Sequence, residues 1–487
     1  MRPALIESLI CPYCGGALRL GLVAEERGGD VHYGLAHCRC FTHPIVEGVL
    51  LISLSKGYGG AEESLQPYAP LQAVAVQLLE QRQLPTLKQW ICTHIPLAAP
   101  FIRADPGPYL EFSSTLAARL DREVADFLDD HSRYGVLWPM RGVLNRAVRR
   151  LGRSLRPAPS GREHQLAQLE QFYPTRFFSP YSQSAMLQLG QLPLRGRVLS
   201  LCCGQGMFEN LLAADGRATE VISVDGQFLN LLATRHFVRP QGQFICQDVQ
   251  LGLPFADNSF DAVFSSTCLP EIPTQRHFAR EAVRVTSPRG WTWFDCAWNG
   301  ELGGARINPW RFYRFAQNFF EHLEDYVDFF SECAGGRATA IAVPTAAAAY
   351  RDAAPDWTHE PRAIVAKLAQ RQEAQLSALV FDHQRFPGFV AQPERNWATV
   401  ANLAVSPVFE ARAEGGAIHL ARRAGFEKLS PNFAPKAFAG YPATGRINRA
   451  DLASTERLLS MYCEGLLTVL PRNFDSPSNA LSALQGA

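Results

Sequence analysis

Two sets of residues in this chain have the types and spacings that chemistry requires. The first is Cys11, Cys14, Cys38 and Cys40, in the stretches Cys11-Pro-Tyr-Cys14-Gly-Gly and His37-Cys38-Arg-Cys40. Paired thiols on a tight, glycine-supported turn, met roughly 25 residues later by a second pair, have the spacing of a tetrahedral structural zinc site. His37 lies three residues before Cys40, so the third ligand is either Cys38 or His37. A closed four-ligand site is structural and not catalytic. Its metal would supply folding energy to a segment too short to bury much core alone. The alternative is four unrelated buried cysteines.

The second set is Gly204, Gly206, Asp225 and Asp248. Two glycines let the backbone turn tightly and approach a ligand closely, because no Cβ stands in the way. About twenty residues on, the Asp225 carboxylate is placed to accept hydrogen bonds from two vicinal ribose hydroxyls. Asp248 is placed to meet an adenine amino group. The neighbouring thiols of Cys202 and Cys203 have no evident histidine partner, and thiols in a buried turn are usually inert.

The elements that must position the second set lie between Arg197 and Ser266. Three apolar runs there each end in a small or acidic residue and are separated by helix-compatible segments. That is the pattern of successive parallel strands in an open α/β sheet, which binds nucleotide-like ligands at the carboxyl ends of its strands. The dinucleotide fingerprint GxGxxG is absent: Gly206 is followed by Met207, Phe208 and Glu209, so the third glycine is missing.

The ordered series LCCGQG, VD, QD, LPFADNSFDAVFSS and REAVRVTSPRGW resembles the class I S-adenosylmethionine (SAM) methyltransferases over about a hundred residues. The resemblance implies a Rossmann-like methyltransferase sheet, with Phe260 to Ser266 as the fourth strand and Gly290 to Trp298 as the fifth. It places Gly204 and Gly206 against the methionine part of SAM, Asp225 against the ribose and Asp248 against the adenine. Ser200, Cys202, Gly226, Val249 and Ser265 are the remaining cofactor-binding positions it implies. The family usually carries an acid where Ser200 stands and a glycine where Cys202 stands. Residues Leu9 to Ser53 are similar to the zinc-ribbon domain, related to methyltransferase activator proteins, that precedes this fold in some bacterial enzymes. There the second pair is usually Cys-x-x-Cys, whereas here it is Cys38-x-Cys40.

Methyl transfer from a sulfonium needs orientation, exclusion of water and, for some acceptors, a base. Glu271 and Asp295, after the fourth and fifth strands, are the candidate bases. Tyr181, with Tyr173, Phe177 and Phe178, is a candidate to line the pocket around the methyl donor, against the alternative of plain aromatic packing. His277 is close in sequence but leads into a surface helix in the family.

The domain organisation expected is a zinc ribbon at 1–56, a helical linker or lid at 57–165, a SAM-binding core at 166–300, a helical insertion capping the substrate at 301–412, completion of the sheet at 413–475 and a mobile tail at 476–487. The sheet's last helix is expected at Ile418 to Glu427 and its last strand at Leu466 to Leu470. With 47 basic against 46 acidic residues there is no global field to draw nucleic acid or membrane. Arg146, Arg149, Arg150 and Arg153 share one helix face, read as a solvated face ahead of a phosphate grip. No run is apolar enough to span a bilayer, no signal peptide is evident, and twelve cysteines are too dilute for a disulfide scaffold, so a reducing cytoplasm is expected. The reading is therefore a cytoplasmic SAM-dependent methyltransferase acting on a small molecule in specialised biosynthesis. The alternatives are a zinc-ribbon RNA methyltransferase and a SAM-binding protein with a non-methylating reaction.

Overall fold

The computed structural model describes residues 1–53, 69–87, 185–186, 189, 195–204, 206–215, 218–266, 268–269, 272, 275–297, 323–335, 338–342, 377–382, 403–406, 408–422 and 441–469. After a short helix α1 (Pro3–Glu7) come β1 (Arg19–Arg27), β2 (Asp30–His37), β3 (Thr42–Val46) and β4 (Val49–Leu51), each antiparallel to the next. Helix α2 (Ala69–Glu80) follows. The central α/β unit is β5 (Gly196–Leu201), α3 (Met207–Asp215), β6 (Ala218–Asp225), α4 (Phe228–Ala233), β7 (Gln243–Cys246), β8 (Phe260–Ser266), α5 (Gln275–Val285) and β9 (Thr286–Ala297). Then come α6 (Leu323–Cys333), β10 (Ala338–Ala342) and β11 (Ser377–Asp382).

All eleven strands form one sheet, in the order β1-β2-β3-β4-β7-β6-β5-β8-β9-β11-β10. From β7 to β9 the pairings are parallel, and β11 and β10 close the edge antiparallel. The chain steps outward from β5 to β6 and β7, then returns to place β8 on the other side of β5. That reversal is the topological switch point, and it opens the ligand crevice at the carboxyl ends of β5 and β8.

The central strands are apolar because helices cover both faces. On one face Leu199, Leu201, Ile222 and Val224 pack with Phe278 of α5 and Phe330 of α6. On the other, Val198, Val221 and Phe264 pack with Phe208 and Leu211 of α3. Phe208 meets Phe264 and Trp293 edge-on at centroid distances of 5.5 and 5.8 Å. Such pairs contribute about 0.5–1.5 kcal/mol beyond their buried area. In the last turn of α5, Arg284 donates to Glu281, to Asp257 and to the carbonyls of Leu253 and Phe255. It thereby fixes the loop that follows Asp248.

The antiparallel N-terminal strands are not a separate body. Strand β4 lies parallel to β7, with Val49 opposite Phe244, Leu50 opposite Ile245 and Leu51 opposite Cys246. The amides of Ile52 and Ser53 both donate to the Cys246 carbonyl, at 2.9 and 3.1 Å. Strands β1 to β4 thus extend the central sheet.

The expected end of the sheet is corrected on two points. Its last two strands, β10 and β11, with α6 before them, fall inside 301–412, the span expected to be a helical cap. Residues 413–475 do not complete the sheet. There β13 (Phe409–Glu414), β14 (Ala417–Arg422) and β15 (Thr444–Asn448) form a three-stranded antiparallel sheet, and β12 (Leu403–Val405) pairs with β16 (Leu467–Val469). The expected helix from Ile418 begins as strand β14, because Gly415 and Gly416, at φ +60° and +77°, turn the chain back on β13. Ile418 and Leu420 are buried while His419 between them is exposed, a period of two. A strand does lie within Leu466 to Leu470, as β16, but it pairs with β12 and is no part of the central sheet, so it is not the sheet's last strand. Helix α7 (Thr455–Cys463) buries Met461 and Tyr462 in the core on the α3 side. Among the described residues no helix is long and apolar enough to cross a membrane.

Candidate functional site

Strand β5 ends in a turn that only glycine-like backbone can make. Cys202, Gly204 and Gly206 have φ of +54°, +55° and +78°. A Cβ on Gly206 would overlap Thr234 Cγ2, whereas one on Gly204 would meet open space. The Gly204 amide donates to Asp225 Oδ2 at 2.9 Å, and the Gln227 amide to Oδ1 at 2.8 Å. Asn230 Nδ2 adds a longer bond to Oδ1 at 3.4 Å. Asp225 is the last residue of β6 and is buried, and desolvation raises its carboxyl pKa against the opposing pull of these bonds. A carboxylate has about four acceptor positions, so Asp225 keeps capacity for a ligand hydroxyl.

Asp248 follows the neighbouring β7. Its Oδ1 accepts from the Gln250 amide at 3.0 Å and caps a short 3-10 turn, Val249–Leu251, in which Val249 is buried. The Asp248 amide donates to Ser53 Oγ at 2.7 Å. Gly226 follows Asp225, and its carbonyl accepts from the Cys246 thiol at 3.7 Å. Thus Gly204, Gly206, Asp225, Gly226, Asp248 and Val249 all lie at the carboxyl edges of three adjacent strands. Ser265 is buried near the end of β8, its hydroxyl without a partner among the described residues.

Ser200 is fully buried in β5, beside Ser223 of β6. Between them lies a residue the sequence reading passed over. Glu209, in the first turn of α3, is wholly buried and accepts from Ser223 Oγ at 3.1 Å, with Ser200 next to it. Burial raises its carboxyl pKa. The available signal was an acid at the start of an otherwise apolar helix. Cys202 was expected only as a cofactor contact. It is bonded instead to Cys268, with Cα atoms 6.2 Å apart, which qualifies the expectation of a chain without disulfides.

Of the candidate catalytic residues, Asp295 is buried in β9 opposite Ser266, whose hydroxyl donates to Asp295 Oδ2 at 2.6 Å. Glu271 and Tyr181 lie outside the described residues, as do Tyr173, Phe177, Phe178 and the arginines Arg146 to Arg153. His277 is buried on α5.

At the far end of the sheet, the Sγ atoms of Cys11, Cys14, Cys38 and Cys40 all lie within 4.8 Å of one another. Cys11 and Cys40 are 3.7 Å apart and Cys38 and Cys40 3.5 Å. A tetrahedron of thiolates around zinc at about 2.3 Å has edges of about 3.8 Å, so the four sulfurs fit a soft, four-coordinate ion. The Phe41 amide donates to Cys38 Sγ at 3.4 Å, and the Cys14 thiol is lowered to about 6 by its hydrogen bond with Cys11. The amide favours a thiolate at Cys38, while the bond that lowers the Cys14 thiol raises that of Cys11. The structure brings Cys38 to the cluster. His37 is exposed, with its ring against Gly21. The unforeseen neighbour is the buried His43, whose Nε2 is 3.9 Å from Cys38 Sγ and 4.0 Å from Cys11 Sγ.

Residues 199–294 match the family model described as a methyltransferase domain. The chain is similar to an uncharacterised methyltransferase of Mycobacterium leprae, at 28% identity over 144 residues, 28% of this chain and 53% of that one. It is also similar to a demethylmenaquinone methyltransferase of Corynebacterium urealyticum, at 39% over 94 residues, 19% of this chain and 38% of that one. The chain therefore spans about half, or less, of the curated relatives it matches. Among solved structures it is similar to an S-adenosylmethionine-dependent methyltransferase from Mesorhizobium loti, at 17% identity and a TM-score of 0.31, covering 40% of this chain and 95% of that one.

Proposed function

We propose that the chain is a SAM-dependent methyltransferase that methylates a small molecule in a biosynthetic pathway. The observation that carries the reading is the placement of Asp225 and Asp248 at the ends of neighbouring parallel strands, beside the Gly204 to Gly206 turn, within residues that match a methyltransferase domain. Asp225 takes the ribose hydroxyls, Asp248 and Val249 take the adenine, and the glycine turn takes the methionine part, with Ser200, Cys202, Gly226 and Ser265 around it. SAM supplies a methyl group already activated on a sulfonium. The protein contributes orientation and dryness, and Asp295 is the described side chain placed to hold a proton near the strand ends. Glu271 and Tyr181 remain proposed partners in that pocket.

Cys11, Cys14, Cys38 and Cys40 hold a structural zinc ion. A closed set of four thiolates leaves no open position for substrate. The balance of 47 basic and 46 acidic residues supports a small acceptor in the cytoplasm over a nucleic acid, because no net charge would concentrate a polyanion.

Calorimetric titration of the zinc-loaded protein with SAM and with S-adenosylhomocysteine tests the reading. Micromolar binding is expected, weakened by about 1.5–3 kcal/mol in Asp225→Ala, as for the loss of a hydrogen bond to a charged group. Absence of binding to the wild type would overturn it.

A further inference from the structure

Cys202 and Cys268 sit on the turns that leave β5 and β8, the neighbouring strands at which the sheet order reverses, and a bond between them bridges the mouth of the crevice. Cys202 also occupies a costly backbone conformation. At φ +54° a residue with a Cβ is strained by about 1 kcal/mol relative to glycine, so the sulfur is held there at the expense of local stability. The turn it anchors is the one whose Gly204 amide lies on Asp225 Oδ2, while Thr234 Oγ1 donates to the Gly204 carbonyl at 3.2 Å. Tethering Cys202 therefore tethers the amide that occupies one oxygen of Asp225. Both cysteines are half-buried and within reach of a small thiol reagent, whereas Cys246 nearby is fully buried.

We infer that Cys202 and Cys268 form a reversible dithiol–disulfide site that gates the cofactor pocket. With the bond formed, the glycine turn is held across the crevice and against Asp225, and the pocket is closed. With the bond reduced, the two turns are free to separate and the crevice admits a nucleoside ligand, whose hydroxyl takes the acceptor capacity left on Asp225. The inference rests on the reading of this crevice as the SAM site.

The oxidant is a low-molecular-weight disulfide such as glutathione disulfide. One cysteine thiolate attacks a sulfur of that disulfide, forming a mixed disulfide and releasing one glutathione thiol. The second cysteine thiolate attacks the protein-side sulfur of the mixed disulfide, the Cys202–Cys268 bond forms and the second glutathione leaves. Two protein thiols lose two protons and two electrons, and both are taken up by the glutathione pair. Disulfides that thiol reagents can reach, at functional loops, belong to the labile class that such exchange can set and reset.

The test uses the full-length, zinc-loaded protein equilibrated in reduced glutathione or in glutathione disulfide. Free thiols are then alkylated and mapped by mass spectrometry, and S-adenosylhomocysteine binding is measured in both states. Cys202 and Cys268 are expected to be protected from alkylation only in the oxidised protein, whose affinity should be lower by roughly tenfold or more and restored by dithiothreitol. Cys268→Ser should bind as the reduced wild type does in both buffers, which separates the gate from oxidation of the zinc cysteines. Alkylation of both residues in the glutathione disulfide buffer as well as in the reduced one would overturn the inference, as would a redox effect that persists in Cys268→Ser. Protected thiols with affinity unchanged or tightened would overturn the gate and leave the cofactor reading standing. Failure of the reduced protein to bind would overturn the cofactor reading and the gate together.

Discussion

Ser53 Oγ accepts the backbone N–H of Asp248 at 2.7 Å, across 195 residues of sequence. The residue that follows the last ribbon strand by two positions therefore fixes the backbone of the acid proposed to meet adenine. Ser53→Ala leaves that buried N–H without its acceptor, at an expected cost of about 1–3 kcal/mol of stability. Because Asp248 would no longer be held, S-adenosylhomocysteine affinity should fall as well. Urea denaturation and calorimetry on the variant measure the two effects. A loss of stability with affinity unchanged would show that the contact serves folding alone.

The same junction makes metal removal a test of long-range coupling. Strands β1 to β4 are stapled at one end by the four thiols and hydrogen-bonded at the other to β7. Stripping the proposed zinc with a strong chelator should unfold these strands, since a metal held by the four thiols would supply their folding energy. It should also expose Phe244 to Cys246, which lose their pairing with Val49 to Leu51. The expected readouts are faster hydrogen exchange in β7 and weaker binding of S-adenosylhomocysteine. Unchanged β7 exchange after complete zinc loss would show that the sheet stands without its extension.

The two glycines of the turn should respond differently to alanine. Both have positive φ, so each Gly→Ala change carries backbone strain of about 1–2 kcal/mol. At Gly206 the new Cβ also overlaps Thr234 Cγ2, and overpacking adds about 1–3 kcal/mol. At Gly204 no atom lies within 4 Å. Gly206→Ala should therefore lower the melting temperature clearly more than Gly204→Ala. Equal losses would mean that the Thr234 side chain gives way freely.

The central sheet was readable because strands buried on both faces leave continuous apolar runs, and Asp225 and Asp248 interrupt those runs where the strands end. Strands β10 and β11 were not readable. Ala338–Ala342 and Ser377–Asp382 are short, and they draw their place from pairing, β11 with β9 and β10 with β11. Strand β14 was misread because IHLARRAGFE also satisfies a helical period, and only the Gly415-Gly416 turn and the β13 partner decide the matter. Contacts such as Ser53 with Asp248, Cys202 with Cys268 and Glu209 with Ser223 join residues whose separation in sequence carries no signal. The four zinc-type cysteines were legible because their spacing is itself the constraint.

Glu209 gives the protein a pH dependence of defined sign. Desolvation raises its carboxyl pKa above the ordinary 4.5, against weaker opposing contributions from Ser200, its own backbone, Ser223 and Arg239. A raised folded-state value means that the native state binds the proton more tightly than the unfolded chain. Stability therefore declines as pH rises from about 4.5 through the folded value, and the penalty is complete above it. Glu209→Gln keeps an oxygen to accept from Ser223 Oγ and removes the charge. It should be at least as stable as the wild type at pH 7–8 and lose that advantage on acidification. Urea denaturation of both proteins across that range isolates Glu209, because Asp225, whose carboxyl is also raised, is present in each. A variant that is less stable by the same amount at every pH would show that Arg239 compensates the buried charge in full.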